Sequence, residues 1–196
     1  MPIRLDPVEA ALLQNTGLFE IKRRTTQKLY MAFESLRLRL KDTAEELHLV
    51  LPEEVAAISA KISRGEQYQG CPWVMLDHHR YFQGEDMFAF RIMAWFGHYF
   101  SAHYILGGRY VSLMQGRLIP EKFGEVVFFC LHPDPWEHAP DEPGYRPLHL
   151  LTQEDMQAHI TATCFLKLSI KIPTTDLQDM EDRVTAFYTA CIASGK

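Results

Sequence analysis

The stretch from Cys71 to Met114 reads CPWVMLDHHRYFQGEDMFAFRIMAWFGHYFSAHYILGGRYVSLM and holds the chain's densest supply of aromatic and aliphatic side chains. Two runs in it, 73–82 and 87–96, are rich in residues that favour β-strands. The polar segment between them has a length typical of hairpin loops. We therefore expect these two runs to pair as antiparallel strands.

A pair of glycines predicts a second hairpin. Gly107-Gly108 can supply the positive φ angles of a tight turn, so strands 99–106 and 109–114 should also be antiparallel neighbours. The apolar run 125–131 lies between residues that break regular structure, which is typical of a fully buried strand.

Together these strands predict an α+β fold. Its antiparallel, largely meander-type sheet would have about five strands within residues 73–131, covered by N-terminal and C-terminal helices. The 196 residues are enough to bury a sizeable core, and no internal repeat or change of composition divides them. We expect a single α+β domain over residues 1–196.

Capping patterns and periodicity predict the helices before the sheet. Asp6 and Glu9 have the spacing of a capping box at the start of a helix that should end near Gly17. From 24 to 47, apolar residues recur at three- and four-residue steps, as on one face of a long helix. That face could pack on the sheet, or it could pair with a second copy in a homodimer.

Three further helices follow from the same rules. The proline and acidic residues after Leu51 predict a helix that ends near Gly65. A capping pattern at Thr152 begins a helix whose four-residue apolar step runs through 165–172. Residues 165–172 also alternate between apolar and polar, which is typical of a half-buried strand, but we prefer the helix. A cap at Thr175 would begin the last helix.

Charge and composition argue against two kinds of partner. The net charge is −5, whereas nucleic-acid-binding proteins usually carry a basic surplus, so we expect no nucleic acid partner. The run Met87–Leu106 is long enough to span a membrane, but polar residues and a glycine interrupt it. We interpret it as buried strands and expect no membrane partner. Widely spaced cysteines and the lack of a signal peptide favour a reduced, cytoplasmic protein.

One face of the second predicted hairpin mixes aromatic, hydroxyl and imidazole groups. Aromatic walls with a few polar groups are typical of a small-molecule pocket, although an amphipathic sheet facing water shows the same pattern. Arg91 on the neighbouring strand could balance the charge of an anionic ligand. The candidate ligand-binding residues are Arg91, Tyr99, Ser101, His103, Tyr110 and Ser112.

A second candidate site lies in the run Asp77-His78-His79-Arg80. Strand alternation would place Asp77 and His79 on one face. A carboxylate that holds an imidazole in one tautomer is a common basis for general acid–base catalysis. A structural network of polar side chains would look the same.

A third candidate is the proline-rich segment from His132 to Pro147, which we call the proline loop. A long loop of this kind is often a lid or a binding loop. Its imidazoles and carboxylates could ligate a divalent metal, although their spacing matches no common zinc motif and a rigid surface loop anchored by Trp136 is the simpler interpretation. The weak metal candidates are His132, Asp134, Glu137 and His138.

Three hypotheses for function follow. The first is a protein that binds a small molecule or a partner through the mixed sheet face. The second is an acid–base or metal-dependent hydrolytic enzyme that uses Asp77 and His79 or the segment from His132 to His138. The third is an interaction protein that forms a homodimer through its long helix. The fingerprints of P-loop and dinucleotide-binding proteins are absent from the sequence, which does not identify a cofactor.

Overall fold

The computed structural model describes residues 3–114, 118, 120–173 and 177–193. The helices in this part of the chain are α1 Pro7–Gln14, α2 Thr16–Glu46, α3 Glu53–Ala56, α4 Gln153–Thr163 and α5 Leu177–Ala193. The strands are β1 Lys61–Tyr68, β2 Cys71–Gln83, β3 Asp86–Trp95, β4 Phe100–Gly107, β5 Phe128–Cys130, β6 Tyr145–Pro147 and β7 Phe165–Ile172. Short 3-10 helices cover Gly108–Leu113, Pro120–Lys122 and Leu148–Leu150.

The strands form one antiparallel sheet in the order β1-β2-β3-β4-β7-β5-β6. The first four strands are a meander, and β7 then pairs with β4 from far along the chain. This architecture confirms the predicted α+β class with an antiparallel sheet and terminal helices. In the described part of the chain the sheet has seven strands rather than about five. Strands β1, β6 and β7 lie outside the predicted range of residues 73–131, and the predicted strand 109–114 does not form.

The long helix α2 covers one face of the sheet together with α5. Its stripe of Leu29, Phe33, Leu36 and Leu40 is buried in the main core, against alternate side chains of the central strands. Burial of this stripe confirms that it packs on the sheet. The stripe is therefore not free to form a dimer interface, and the homodimer stays a prediction.

The proline loop covers the opposite face of the sheet. Ala139 in the loop is fully buried against Met93 and Trp95 of β3. Tyr145 closes a second apolar cluster with Ile105 of β4. Both faces of the central strands are therefore buried, which explains why these strands are almost continuously apolar.

The second predicted hairpin is wrong. β4 ends at Gly107, and Gly108 begins a 3-10 helix instead of a turn into strand 109–114. A Cβ on Gly107 would lie 2.6 Å from the carbonyl oxygen of Glu85, and Gly108 has φ of +53°. The two glycines thus allow the end of β4 to approach the β2–β3 turn closely.

Two helix predictions are also wrong. The helix predicted from Leu51 to Gly65 ends at Ala56, and residues 61–68 form the edge strand β1. The helix begun at Thr152 ends at Thr163, because Cys164 adopts a left-handed conformation with φ of +59°. Residues 165–172 are strand β7, so the alternating pattern, not the four-residue step, was decisive there.

Other local predictions are confirmed. Asp6 and Glu9 form the predicted capping box of α1, and Thr152 forms another at the start of α4. The predicted cap at Thr175 lies outside the described residues. None of the helices in the described part of the chain combines the length and apolar character that crossing a membrane requires.

Candidate functional site

Three of the predicted ligand-binding residues lie beneath the proline loop. The register of the sheet places Arg91 beside His103, and Ser101 lies two residues before His103 on β4. These side chains meet the loop's His138 and the β7 residue Lys167 in one buried polar cluster. Its members are Asp77, Arg91, Ser101, His103, His138, Lys167 and Ser169.

Arg91 occupies one end of the buried polar cluster. Its guanidinium donates two hydrogen bonds to the carboxylate of Asp77, at 2.6 and 3.1 Å, and a third to Nε2 of His138 at 2.9 Å. The rings of Phe82 and Trp136 lie over it at 5.6 and 5.2 Å. A nearly buried charge needs such pairing, and here each of the three guanidinium nitrogens donates a hydrogen bond.

His103 occupies the middle of the cluster and is fully buried. Its two ring nitrogens lie 2.7 Å from Oγ of Ser169 and 2.9 Å from Oγ of Ser101. Burial holds the pKa of His103 well below its usual range. The imidazole is therefore neutral, with one ring nitrogen donating and the other accepting.

The three groups in contact with the amine of Lys167 indicate whether that amine is charged. Nζ lies 2.9 Å from the carbonyl oxygen of Pro135, within hydrogen-bond reach of that of Glu137, and 2.9 Å from Nδ1 of His138. Because Arg91 can only donate, Nε2 of His138 must accept, and Nδ1 of the neutral ring must carry the proton. Only an uncharged amine satisfies all three contacts of Lys167.

The electrostatics of the site favour the neutral amine above about pH 7. Burial lowers the pKa of Lys167 to about 7, against an ordinary value of 10.5, and the positive charge of Arg91 also lowers it. Burial likewise holds the pKa of His138 well below its usual range. The neutral amine joins β7 to the proline loop through three hydrogen bonds. The side chains of the cluster are bonded to one another and to the proline loop, which covers them.

The remaining predicted ligand-binding residues lie elsewhere. Tyr99 packs beside Trp95 at the end of the loop-covered face, and its hydroxyl bonds to Asp141. Tyr110 and Ser112 belong to the 3-10 helix after β4, so the pairing that would have brought them to Ser101 does not exist. The Tyr110 hydroxyl instead donates to Glu54 at 2.7 Å. Ser112 donates to the carbonyl oxygen of Arg109.

The structure separates Asp77 from His79. A bulge shifts the β2–β3 register between His78 and Arg80, and His79 itself has φ of +41°. The extra residue turns the His79 ring toward the helices, where Nε2 lies 2.6 Å from the hydroxyl of Tyr188. The prediction that Asp77 and His79 share a face is therefore wrong, and they form no acid–base pair.

The candidate metal ligands of the proline loop also point to different partners. Nδ1 of His132 accepts from the amide of Asp134 at 3.0 Å. Glu137 accepts from the hydroxyl of Tyr68, and His138 belongs to the buried polar cluster. Within the described residues, no group of three or more His, Cys, Asp and Glu side chains is arranged to hold a metal ion.

The bulge opens onto a cavity of about 660 Å³, which we call the bulge cavity. It lies between the C-terminal half of α2, the segment 48–60 and the bulge of β2. β1 begins only at Lys61, opposite Asp77, so the end of β2 projects beyond its neighbour. The segment 48–60, rather than a neighbouring strand, covers this end of β2. The bulge cavity lies between that segment and β2.

His78 is the most unusual side chain in the wall of the bulge cavity. It is 6% exposed, and neither of its ring nitrogens has a hydrogen-bond partner among the described residues. Its ring lies 4.2 Å from that of His79, centre to centre. Burial lowers the pKa of His78 to about 4, with the charge of Arg37 adding to the effect. Burial, followed by the nearby His78, lowers the pKa of His79 to about 3.

Both imidazoles are therefore neutral at pH 7. Each neutral ring has one N–H donor and one acceptor nitrogen. His79 uses one of them on Tyr188, whereas His78 uses neither. A buried polar atom without a partner costs about 1–3 kcal/mol.

No protein-family model, no curated protein and no solved structure matches the chain. The fold and the geometry of its sites therefore carry the functional argument.

Sequence reasoning missed both His78 and Lys167 as notable residues. For Lys167, alternation in 165–172 would have predicted a strand, with the lysine on the face that turned out to be covered by the proline loop. For His78, the adjacent pair His78-His79 was visible, but strand alternation assigned the two rings to opposite faces. Nothing in the sequence marks the bulge that brings them together.

Proposed function

We propose that this protein binds a small molecule in the bulge cavity. The observation that carries the proposal is the buried imidazole of His78, whose donor and acceptor are both unused beside a cavity of about 660 Å³. That volume is typical of pockets for small organic ligands. Both nitrogens are covered in the absence of a ligand, so a ligand that supplies the missing partner requires the His78 ring to turn toward the cavity.

The backbone at the bulge supports the same location. A non-glycine residue at positive φ costs about 1–2 kcal/mol, and such strain gathers at functional sites. Bulges are also frequent next to binding sites, where they redirect a side chain. Here the bulge at His79 directs two neighbouring imidazoles toward one side of the sheet.

The mixed sheet face is less suitable as the binding site. Its polar groups are buried under the proline loop and already bonded to one another. A ligand there would have to displace the loop and replace hydrogen bonds that the protein makes itself. The bulge cavity needs no such rearrangement, so small-molecule binding moves from the predicted face to the opposite one.

A fragment screen followed by NMR of the histidine Cε1–H signals tests the proposal. Fragments that bind should shift the signals of His78 and His79, assigned through His78→Phe and His79→Gly. The signal of His149, an exposed residue on a 3-10 helix outside the cavity, should stay in place. Shifts centred on His103 and His138, or no shift at His78 with any fragment, would contradict the proposal.

A cytoplasmic location and a homodimer also stand as predictions. Sedimentation at micromolar concentration tests the second: a species of twice the chain mass supports the homodimer, and a monomer contradicts it.

A further inference from the structure

We infer that the ligand of the bulge cavity is a small carboxylic acid with an apolar body. This inference rests on the proposed function and names the class of molecule that the same cavity would accept. It follows from the division of the cavity wall into an aliphatic part and a part rich in hydrogen-bond donors.

The aliphatic part comes mainly from the segment between α2 and β1. Half of the fourteen lining residues are aliphatic, and they are Ala44, Leu49, Leu51, Val55, Ala56, Ile58 and Ala60. Val55 is buried, while several of the others are only partly covered. An apolar ligand body placed against them would remove more of this surface from water, at about 25 cal/mol per Å².

The polar part of the wall carries an excess of donors. Arg37 and Lys41 line the cavity from α2, while Glu45 is its one carboxylate. His78 adds an N–H group that no described residue accepts. The charged side chains of the wall therefore sum to a positive charge, and an anionic head group fits them better than a cationic one.

The two cations can be redirected to a ligand at little expense. Arg37 pairs with Glu34 at 2.7 Å and Lys41 with Glu45 at 3.6 Å. Both pairs are exposed, and exposed ion pairs on one helix contribute only about 0.3–0.5 kcal/mol. A ligand carboxylate that bonds to both a cation and the unused His78 would satisfy groups that the protein leaves weakly bound or unbound.

A single carboxylate fits better than a phosphate. A phosphate monoester carries about −1.5 to −2 charge at neutral pH and needs several strong donors. The wall offers two cations against one acid, and half of its lining residues are aliphatic. An apolar monocarboxylic acid matches both the charge and the wall.

Three probes that share one alkyl chain test the inference: decanoate, decanol and decylamine. Isothermal titration with the full chain should show decanoate binding at least about tenfold more tightly than decanol, the effect of one good charged contact. Decylamine should bind more weakly than decanol. Each of Arg37→Gln and Lys41→Gln should weaken decanoate several-fold and leave decanol unchanged, and Arg24→Gln, on the same helix outside the cavity, should change neither.

The outcomes separate this inference from the proposed function. If decanol or decylamine binds as tightly as decanoate at His78, the cavity is a binding site but the carboxylate is wrong. If fragments shift His78 and none of the three probes binds, the ligand class is again wrong. If neither probes nor fragments reach His78, both the inference and the proposed function fall.

Discussion

The imidazole of His78 is a buried polar group that the fold itself does not use. Its two ring nitrogens have no partner among the described residues, although the ring packs against His79 and Tyr188. A group of this kind reduces stability unless something binds to it. Its presence is explained if the protein is built to hold a ligand there, because sites for function often lower the stability of the free protein.

The variant His78→Phe should therefore be more stable than the wild type. We expect the free energy of unfolding at pH 7 to rise by about 1 kcal/mol, since an apolar ring replaces an unpartnered one beside open space. The gain should grow as the pH falls from 6.5 toward 4, because only the unfolded wild type then binds a proton at this position. Urea unfolding at pH 7 and pH 5 measures both effects, and a clear loss of stability would show that His78 is bonded within the fold.

The strain at His79 is open to a matched comparison. His79→Gly and His79→Ala both remove the hydrogen bond to Tyr188, so their difference reports on the backbone alone. With φ of +41°, the glycine variant should be more stable than the alanine variant by about 1 kcal/mol. Thermal or urea unfolding gives the difference. Equal stabilities would mean that the bulge relaxes when the imidazole is removed.

At the scale of single elements, β7 shows where sequence reasoning succeeds and fails. Residues 165–172 carry both a four-residue apolar step and an alternating pattern, and local periodicity alone does not decide between them. The left-handed Cys164 ends α4 and lets the strand begin. No sequence signal marks a cysteine for that conformation. The alternating lysines would have been read as facing water, yet the proline loop buries Lys167 completely and leaves Lys171 partly exposed.

The pH dependence of stability tests the neutral amine of Lys167. The folded pKa of about 7 lies below the ordinary value of 10.5. Between these values the unfolded chain binds a proton that the folded chain does not. The contribution of Lys167 to the free energy of unfolding therefore rises with pH, by up to about 1.4 kcal/mol per pH unit, and levels off below about pH 7.

Urea unfolding at pH 7, 8 and 9 measures this slope. Lys167→Met should lose it and should be least stable, relative to the wild type, at pH 9. Lys171→Met, on the same face of the same strand but partly exposed and paired with Asp141, should keep the wild-type slope. A Lys167→Met variant whose stability follows the wild type across this range would mean that Lys167 is protonated in the fold.

At the scale of the whole molecule, fold class was predictable and strand order was not. The α+β class follows from periodicity and from the apolar content of residues 73–131, and the first hairpin follows from a short loop. The pairing of β4 with β7 joins residues that are far apart in sequence, and no local pattern indicates it. The ligand site predicted at Ser101 and His103 depended on that pairing. The proline loop and β7 together cover the sheet face on which the sequence predicted the ligand.

We expect the N-terminal helix to contribute little to the stability of this molecule. α1 has no buried residue, and Val8 and Leu13 are more than half exposed. A variant that starts at Asn15 keeps the side chain that caps α2 through the amide of Leu18. Its free energy of unfolding should match that of the full chain within about 0.5 kcal/mol. A loss of several kcal/mol in urea unfolding would show that α1 packs on the rest of the protein.

We propose that the bulge cavity is a binding site in which His78 contacts the ligand. A crystal structure of the protein with the tightest-binding fragment tests it most directly. We expect the fragment to lie in the cavity, with a polar atom within hydrogen-bond distance of a ring nitrogen of His78. A fragment bound elsewhere, or one in the cavity that leaves both nitrogens of His78 without a partner, would contradict it.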